Sequence, residues 1–145
     1  MKKLLGILIF IAIIYGCYNQ QKQQYHFTIV GSDKKTMNFN HYINENKIDL
    51  VYFYDQFACP KCFFSQMDNL QNLSKKNNFI IVTNLNSIRE LKAFKNAYKL
   101  NKVFLSDYKF NKGSFYLEIK TDKIIIPDTN NDNLNLVDDF IKKYK

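Results

Sequence analysis

Two cysteines separated by two residues, Cys59 and Cys62, constrain the fold of this 145-residue chain more than any other feature. Residues 49–54 (Asp-Leu-Val-Tyr-Phe-Tyr) form a nearly continuous apolar run before them, which is typical of a strand buried on both faces of a sheet. Beyond Cys59 the apolar residues fall at helical spacing: Phe63, Met67, Leu70 and Leu73. Pro60 suits the first position of a helix, because its missing N–H is not needed there. We therefore predict a buried strand, a turn, and a helix that begins at Cys59 and runs to about Lys75.

The remaining apolar segments predict further strands and helices. Strands are expected over residues 25–30, 79–83 and 103–105, and a hairpin is expected over 114–119 and 123–126. Helices are expected within residues 38–47, after the capping box Ser87-Ile88-Arg89-Glu90, and around Leu134, Val137, Phe140, Ile141 and Tyr144. This order fits a single α/β domain over residues 25–145, with a central mixed sheet covered by helices on both faces.

The first sixteen residues have the pattern of a signal peptide. Two lysines precede an apolar run from Leu4 to Tyr15, which is shorter than the roughly 20 residues of a membrane-spanning helix. The run ends at Ile14-Tyr15-Gly16-Cys17, which resembles a bacterial lipobox. That resemblance implies cleavage before Cys17, a diacylglyceryl thioether on its sulfur and an acylated amino terminus. An uncleaved signal anchor and simple secretion are the alternatives.

The residues after Cys17 are polar and predict a short tether. Residues 18–24 (Tyr-Asn-Gln-Gln-Lys-Gln-Gln) lack apolar periodicity and would join the lipid to the folded domain. Two or more acyl chains anchor a protein stably in a membrane. Tyr18 stands where many inner-membrane lipoproteins carry Asp, which favours the outer membrane, with the domain facing the periplasm.

The number of cysteines and the distribution of charge limit the kinds of site and partner that this chain can have. The chain has three cysteines; lipid would occupy Cys17 and leave Cys59 and Cys62 as a pair. A disulfide across so short a loop stabilises a fold little, so the pair suits redox exchange or metal binding better than a structural role. The net charge is +8, but the basic residues are dispersed, and we predict a solvated surface and no nucleic-acid partner.

Residues 50–70, an apolar strand running into Cys59-Pro60-Lys61-Cys62 at the head of a helix, resemble the active-site segment of the thioredoxin superfamily, and of its bacterial membrane-anchored members in particular. The resemblance implies a thioredoxin-like three-layer sandwich and a periplasm-facing thiol–disulfide oxidoreductase that acts on protein thiols or disulfides of the envelope. Cys59 would be the nucleophile, because a helix N-terminus and Lys61 favour its thiolate, and Cys62 would resolve the intermediate. No cofactor is predicted. The alternative for Lys61 is a solvated side chain that does not affect the thiol.

The chain departs from that family at three places. Ala58 stands where thioredoxins have Trp, Tyr52 or Phe53 stands near the place of a buried acid, and Gly113 or Ser114 stands where a cis-proline lies opposite the dithiol. These departures keep open an alternative: a non-catalytic, thioredoxin-like lipoprotein that binds a partner or a metal. His26 and His41 could in principle complete a metal site with the two cysteines, but their spacing matches no zinc pattern.

Overall fold

The computed structural model describes residues 25–110, 113–127 and 131–144, and only the backbone of residues 131–136. The predicted signal peptide, Cys17 and the tether lie outside the described residues. The strands are β1 Thr28–Val30, β2 Thr36–Asn38, β3 Leu50–Tyr54, β4 Phe79–Thr83, β5 Val103–Ser106, β6 Phe115–Glu118 and β7 Lys123–Ile125. The helices are α1 Phe39–Glu45, α2 Pro60–Ser65, α3 Met67–Leu73, α4 Ile88–Tyr98 and α5 Asn131–Lys142.

The seven strands form one mixed sheet in the order β2-β1-β5-β4-β3-β6-β7. Strands β3, β4 and β5 are parallel to one another. The outer pairs β1–β2, β1–β5, β3–β6 and β6–β7 are antiparallel. Within β3, Val51 pairs with Ile80 of β4 and with Leu117 of β6. The strand that precedes the cysteines therefore lies in the interior of the sheet, as predicted. Its carboxyl end lies at the edge of the sheet where the loops that follow parallel strands commonly form functional sites.

Each face of the sheet carries its own core. Leu50 and Tyr52 pack on one face with residues of α2 to α5, including Phe63, whereas Val51 and Phe53 pack on the other face with α1. The alternation follows from the period of two along a strand. Helices cover both faces, and the α/β class predicted from the sequence is confirmed.

The distribution of helices follows from the handedness of the crossovers. The chain passes from β3 to β4 and then to β5 in the same direction across the sheet. Right-handed connections then place α2, α3 and α4 on the same face. As a result, Phe63, Leu70, Leu91 and Phe94 belong to a single core cluster, beneath the segment that carries the cysteines.

The helix after Cys59 is shorter than predicted and is interrupted. Gln66 ends α2 with φ −96° and ψ 0°, and α3 then ends at Leu73. Gln66 falls outside the apolar positions of the helical pattern, but its side chain is buried. Its carboxamide oxygen accepts a hydrogen bond of 3.3 Å from the Tyr116 hydroxyl, so the interruption accommodates a polar group inside the core.

The helix α4 has the predicted capping residue. The Ser87 side chain accepts a hydrogen bond from the Glu90 N–H, while the Glu90 carboxylate accepts from the N–H of Asn86. Lys99 ends the helix in the left-handed conformation (φ 53°, ψ 43°). No helix in the described part of the chain is long and apolar enough to span a bilayer.

Candidate functional site

The two cysteines lie where the carboxyl end of β3 meets α2. Cys59 is the N-cap residue of α2, its side chain makes no capping hydrogen bond, and Pro60 takes the first helical position. Cys59 is exposed and Cys62 is half-buried one turn further on, and both are thiols. Cys59 is therefore the more accessible of the two residues to a large partner.

The local environment favours the thiolate of Cys59. The pKa of its thiol is lowered first by a hydrogen bond from the Cys62 side chain, then by the backbone N–H of Cys62, and also by the backbone N–H and the charge of Lys61. The sequence predicted the contributions of the helix terminus and of Lys61. The largest contribution, from the second thiol, depends on how the turn brings the two sulfurs together, and it was not predicted.

A hydrogen-bonded network holds the turn before Cys59. The buried carboxylate of Asp55 accepts from the N–H of Phe57 (3.0 Å) and from the Asn84 side chain (2.8 Å). Asn84 also accepts from the N–H of Gln56 at 2.9 Å, and the Asp55 N–H donates to the Ser114 hydroxyl at 3.0 Å. The turn is thereby tied to the segments that follow β4 and precede β6. Asn84 was not predicted as a site residue, although it stands directly after a buried parallel strand, where functional residues often lie.

Gly113 lies opposite the cysteine-bearing turn, at the place predicted for it. A Cβ built on Gly113 would lie 3.6 Å from the Cβ of Ala58. Gly113 has φ +70°, a conformation that residues with a side chain adopt only with strain. The described residues contain no cis peptide bond, so Gly113 and Ser114 continue into β6 through trans peptides.

Beneath the turn lies a buried pair of tyrosines. The rings of Tyr52 and Tyr116 have centroids 4.6 Å apart, and both side chains are fully buried. Burial raises the pKa of each hydroxyl, so both remain neutral donors. The Tyr52 hydroxyl has Ser114 beside it, yet no partner within the described residues meets it with hydrogen-bond geometry.

The two histidines do not join the cysteines. His41 is exposed and lies 3.1 Å from Glu45, and His26 is exposed at the start of the described chain. Among residues 25–110, 113–127 and 131–144, no group of three His, Cys, Asp or Glu side chains is close enough to hold a metal ion.

The chain is similar in structure to several solved proteins, each at low sequence identity. The chain is similar to the exposed lipoprotein thioredoxin of Streptococcus pneumoniae, at 15% identity and a TM-score of 0.48, over 82% of this chain and 99% of that one. It is also similar to a candidate thiol–disulfide oxidoreductase of Bacteroides vulgatus, at 11% identity and a TM-score of 0.49, over 86% and 90% of the two chains. A peroxiredoxin-like protein of Aquifex aeolicus matches at 10% identity and a TM-score of 0.45, over 81% and 82%.

At these identities and TM-scores the likenesses carry no information on family, substrate or partner. No protein-family model matches the chain, and no curated protein matches it in sequence.

Proposed function

We propose that this protein is a thiol–disulfide oxidoreductase in which Cys59 is the nucleophile and Cys62 the resolving thiol. One observation carries the proposal: an exposed Cys59 thiol whose pKa is lowered chiefly by a hydrogen bond from the half-buried Cys62. A thiolate that is both accessible and stabilised is the species that attacks a disulfide. The second sulfur lies within contact distance and can complete the reaction.

The exchange proceeds in two steps. The Cys59 thiolate attacks one sulfur of a partner's disulfide; that S–S bond breaks, a mixed disulfide forms, and the other partner sulfur leaves as a thiolate that takes a proton from water. Deprotonated Cys62 then attacks the Cys59 sulfur and releases the second partner thiol. The partner's disulfide gains two electrons, and the Cys59–Cys62 pair loses two. The same steps in reverse oxidise a partner dithiol.

The proposal also places the domain in the cell envelope. Lipid on Cys17 would anchor it, residues 18–24 would tether it, and the domain would face the periplasm, with the outer membrane favoured over the inner. Cells given a labelled fatty acid should label the protein, and Cys17→Ser should abolish the label. Equal labelling of the variant would contradict the anchor without affecting the redox proposal.

A binding module without turnover is the second candidate function. The observation that favours it is the pair Gly113 and Ser114, which stands opposite the dithiol in place of the proline that the resemblance implies. Such a module would hold a partner at the same surface, and Cys59 would not cycle between thiol and disulfide.

Alkylation kinetics distinguish the two. The rate at which iodoacetamide modifies Cys59 should be measured from pH 5 to pH 9, with the modified site identified by mass spectrometry. The proposal predicts an apparent Cys59 pKa below the value of about 8.5 of an ordinary thiol. Cys62→Ala should raise this pKa, whereas Cys62→Ser, which retains a hydroxyl donor, should raise it less. If both variants leave the Cys59 pKa unchanged, Cys62 does not stabilise the thiolate.

A further inference from the structure

The connections that lead into the parallel strands lie at the edge of the sheet away from the dithiol. Residues 46–49 precede β3, residues 74–78 precede β4 and residues 99–102 precede β5. Because these strands run in the same direction, all three connections meet at the edge where the strands begin. Cys59 follows the carboxyl end of β3 and therefore lies at the opposite edge.

The turn after β6 belongs to the same edge as these connections. Strand β6 is antiparallel to β3, and its last residue, Glu118, pairs with the first residue of β3, Leu50. Residues 119–122 therefore lie beside the three connections that precede the parallel strands. We call the surface formed by these four segments the basic end, because it carries six lysines: Lys47, Lys75, Lys76, Lys99, Lys102 and Lys120.

Hydrogen bonds join the four segments into one continuous surface. The ammonium group of Lys102 donates to the carbonyl oxygen of Lys76 at 2.9 Å. Two residues further along, the Asn78 side chain donates to the Asp49 carboxylate at 2.9 Å, and Asp49 also forms an ion pair of 2.9 Å with Lys120. The basic end thus extends across the four neighbouring strands β5, β4, β3 and β6, a width of about 14 Å at about 4.8 Å between strands.

The basic end carries more positive charge than its acidic residues compensate. Its four segments contain two acidic residues, Asp49 and Asp122. Asp49 is paired with Lys120, and Asp122 accepts a hydrogen bond from the Tyr25 hydroxyl. Three of the lysines are exposed and form no ion pair within the described residues: Lys47, Lys75 and Lys99. Such a surface attracts an anionic partner.

The end that carries the dithiol has a different charge. The connections that leave the parallel strands contain, among their described residues, one lysine and two acidic residues; these described residues are 55–59, 84–87, 107–110 and 113–114. Lys61 adds one positive charge beside Cys59. The lysines are therefore dispersed along the sequence, but the fold gathers many of them at the end away from the dithiol.

The predicted tether is long enough to let the basic end face a membrane. Tyr25, the first described residue, donates its hydroxyl to Asp122 of the basic end at 2.6 Å. The eight residues from Cys17 to Tyr25 would span at most about 29 Å. This reach exceeds the length of about 17 Å of a five-residue strand such as β3. Lipid on Cys17 would therefore hold the lysines within reach of the bilayer surface.

We propose that the basic end binds the headgroups of anionic phospholipids and thereby turns the dithiol away from the membrane. Each lysine close to an anionic bilayer strengthens the attraction, which falls off within a Debye length of about 8 Å at physiological salt. In this orientation Cys59 faces partners that are outside the bilayer. The inference rests on the proposed envelope location, since the lipid on Cys17 brings the domain to the membrane.

The accessibility of lysines on vesicles tests the inference. The full-length protein is reconstituted into vesicles of phosphatidylcholine alone, or of equal parts of phosphatidylcholine and phosphatidylglycerol. A brief pulse of an amine-acylating reagent follows, and mass spectrometry identifies the modified sites. We expect Lys47 and Lys120 to be acylated about fivefold more slowly on the anionic vesicles, and Lys109 to react equally on both. Salt at 1 M, where the Debye length is about 3 Å, should remove the difference.

Paired charge variants show which end of the domain is responsible. Lys75→Gln together with Lys99→Gln should reduce the protection of the remaining lysines of the basic end to less than about twofold. Arg89→Gln together with Lys109→Gln removes the same charge from exposed positions near the dithiol end, and should leave the protection unchanged. A bulky maleimide should modify Cys59 equally fast on both kinds of vesicle, because the dithiol faces away from the lipid.

Equal acylation of the lysines on the two kinds of vesicle would overturn the inference. So would slower modification of Cys59 on anionic vesicles, because the dithiol would then face the bilayer. Protection of the same lysines by a DNA duplex, with none from anionic lipid, would assign the basic end to nucleic acid instead. A fatty-acid label on Cys17 without lysine protection would contradict only this inference. Lysine protection without the label would contradict only the lipid anchor, and the absence of both would contradict both.

Discussion

Replacing Glu118 by Gln should destabilise the fold in a pH-dependent way. Glu118 ends β6 with a side chain that is only 11% exposed, and it lies under the C-terminal end of α5. Its carboxylate accepts hydrogen bonds from Thr121 (2.5 Å), from Lys143 (3.0 Å) and from the Tyr144 hydroxyl. The glutamine side chain of the variant would keep the shape and lose the charge, so the substitution isolates what the carboxylate contributes to holding the last helix on the sheet.

The magnitude follows from the pKa of the carboxyl group. Burial raises the pKa of Glu118, but the hydrogen bonds from Thr121, Tyr144 and Lys143 outweigh it and lower the pKa from 4.5 to about 2. At about 1.36 kcal/mol per pKa unit, the ionised form stabilises the folded state by about 3 kcal/mol. Because the folded-state pKa is depressed, this contribution is complete above pH 4.5 and is lost as the pH falls toward 2.

Urea unfolding of the wild-type protein and the Glu118→Gln variant measures the effect. Far-UV circular dichroism follows the transition, because the chain has no tryptophan whose fluorescence could report it. The free energy of unfolding should differ by about 3 kcal/mol at pH 7 and by about 1 kcal/mol at pH 3. Asp139→Asn is the control: its ion pair with Lys142 is fully on the surface, and its loss should change stability by less than about 0.5 kcal/mol. A difference that is the same at pH 7 and pH 3, or below about 1 kcal/mol at pH 7, would refute the reasoning.

Four further substitutions test other parts of the structure. Lys99→Gly should stabilise the protein by about 0.5–1 kcal/mol in urea unfolding, because Lys99 holds a left-handed conformation that suits Gly; an effect equal to that of Lys99→Ala would contradict this. Tyr52→Phe should leave thermal stability unchanged or raise it, since the hydroxyl is buried without a partner among the described residues. Tyr116→Phe should lower stability by about 1 kcal/mol, because the hydrogen bond to Gln66 is lost. A larger loss with Tyr52→Phe than with Tyr116→Phe would contradict these hydrogen-bond assignments. Asn84→Ala should speed amide hydrogen exchange in the turn before the dithiol, and unchanged exchange there would show that the network does not hold it.

The elements that the sequence predicted well are those with strong local signals. The apolar runs at Leu50–Tyr54 and Phe79–Thr83 became the central strands, and the capping box at Ser87 begins a helix as expected. The short strand β2 was not predicted, because three residues are too few to show a recognisable strand pattern in the sequence. It is defined by its pairing with β1. The break at Gln66 likewise depends on a tyrosine fifty residues away.

The candidate site likewise has some features that local sequence predicts and others that depend on the assembled fold. The spacing of Cys59 and Cys62 and the strand before them were sufficient to place the dithiol at the head of a helix. The support of the turn by Asp55, Asn84 and Ser114 joins residues that are 29 and 59 positions apart, and only the assembled sheet brings them together. Exposure of the Phe57 ring is also a tertiary property, because nothing in the sequence around it distinguishes it from a core phenylalanine.

Equilibration of the full-length protein with glutathione redox buffers shows whether Cys59 and Cys62 form a reversible disulfide. The protein is quenched with an alkylating reagent, and the fraction with a Cys59–Cys62 disulfide is read by mass spectrometry, with Cys59→Ser as the control. A lowered thiol pKa stabilises the reduced form, so we expect a reversible two-electron couple with a potential above the roughly −270 mV of thioredoxin. If no Cys59–Cys62 disulfide forms even in the most oxidising buffer, the oxidoreductase account is contradicted, and the binding module takes its place.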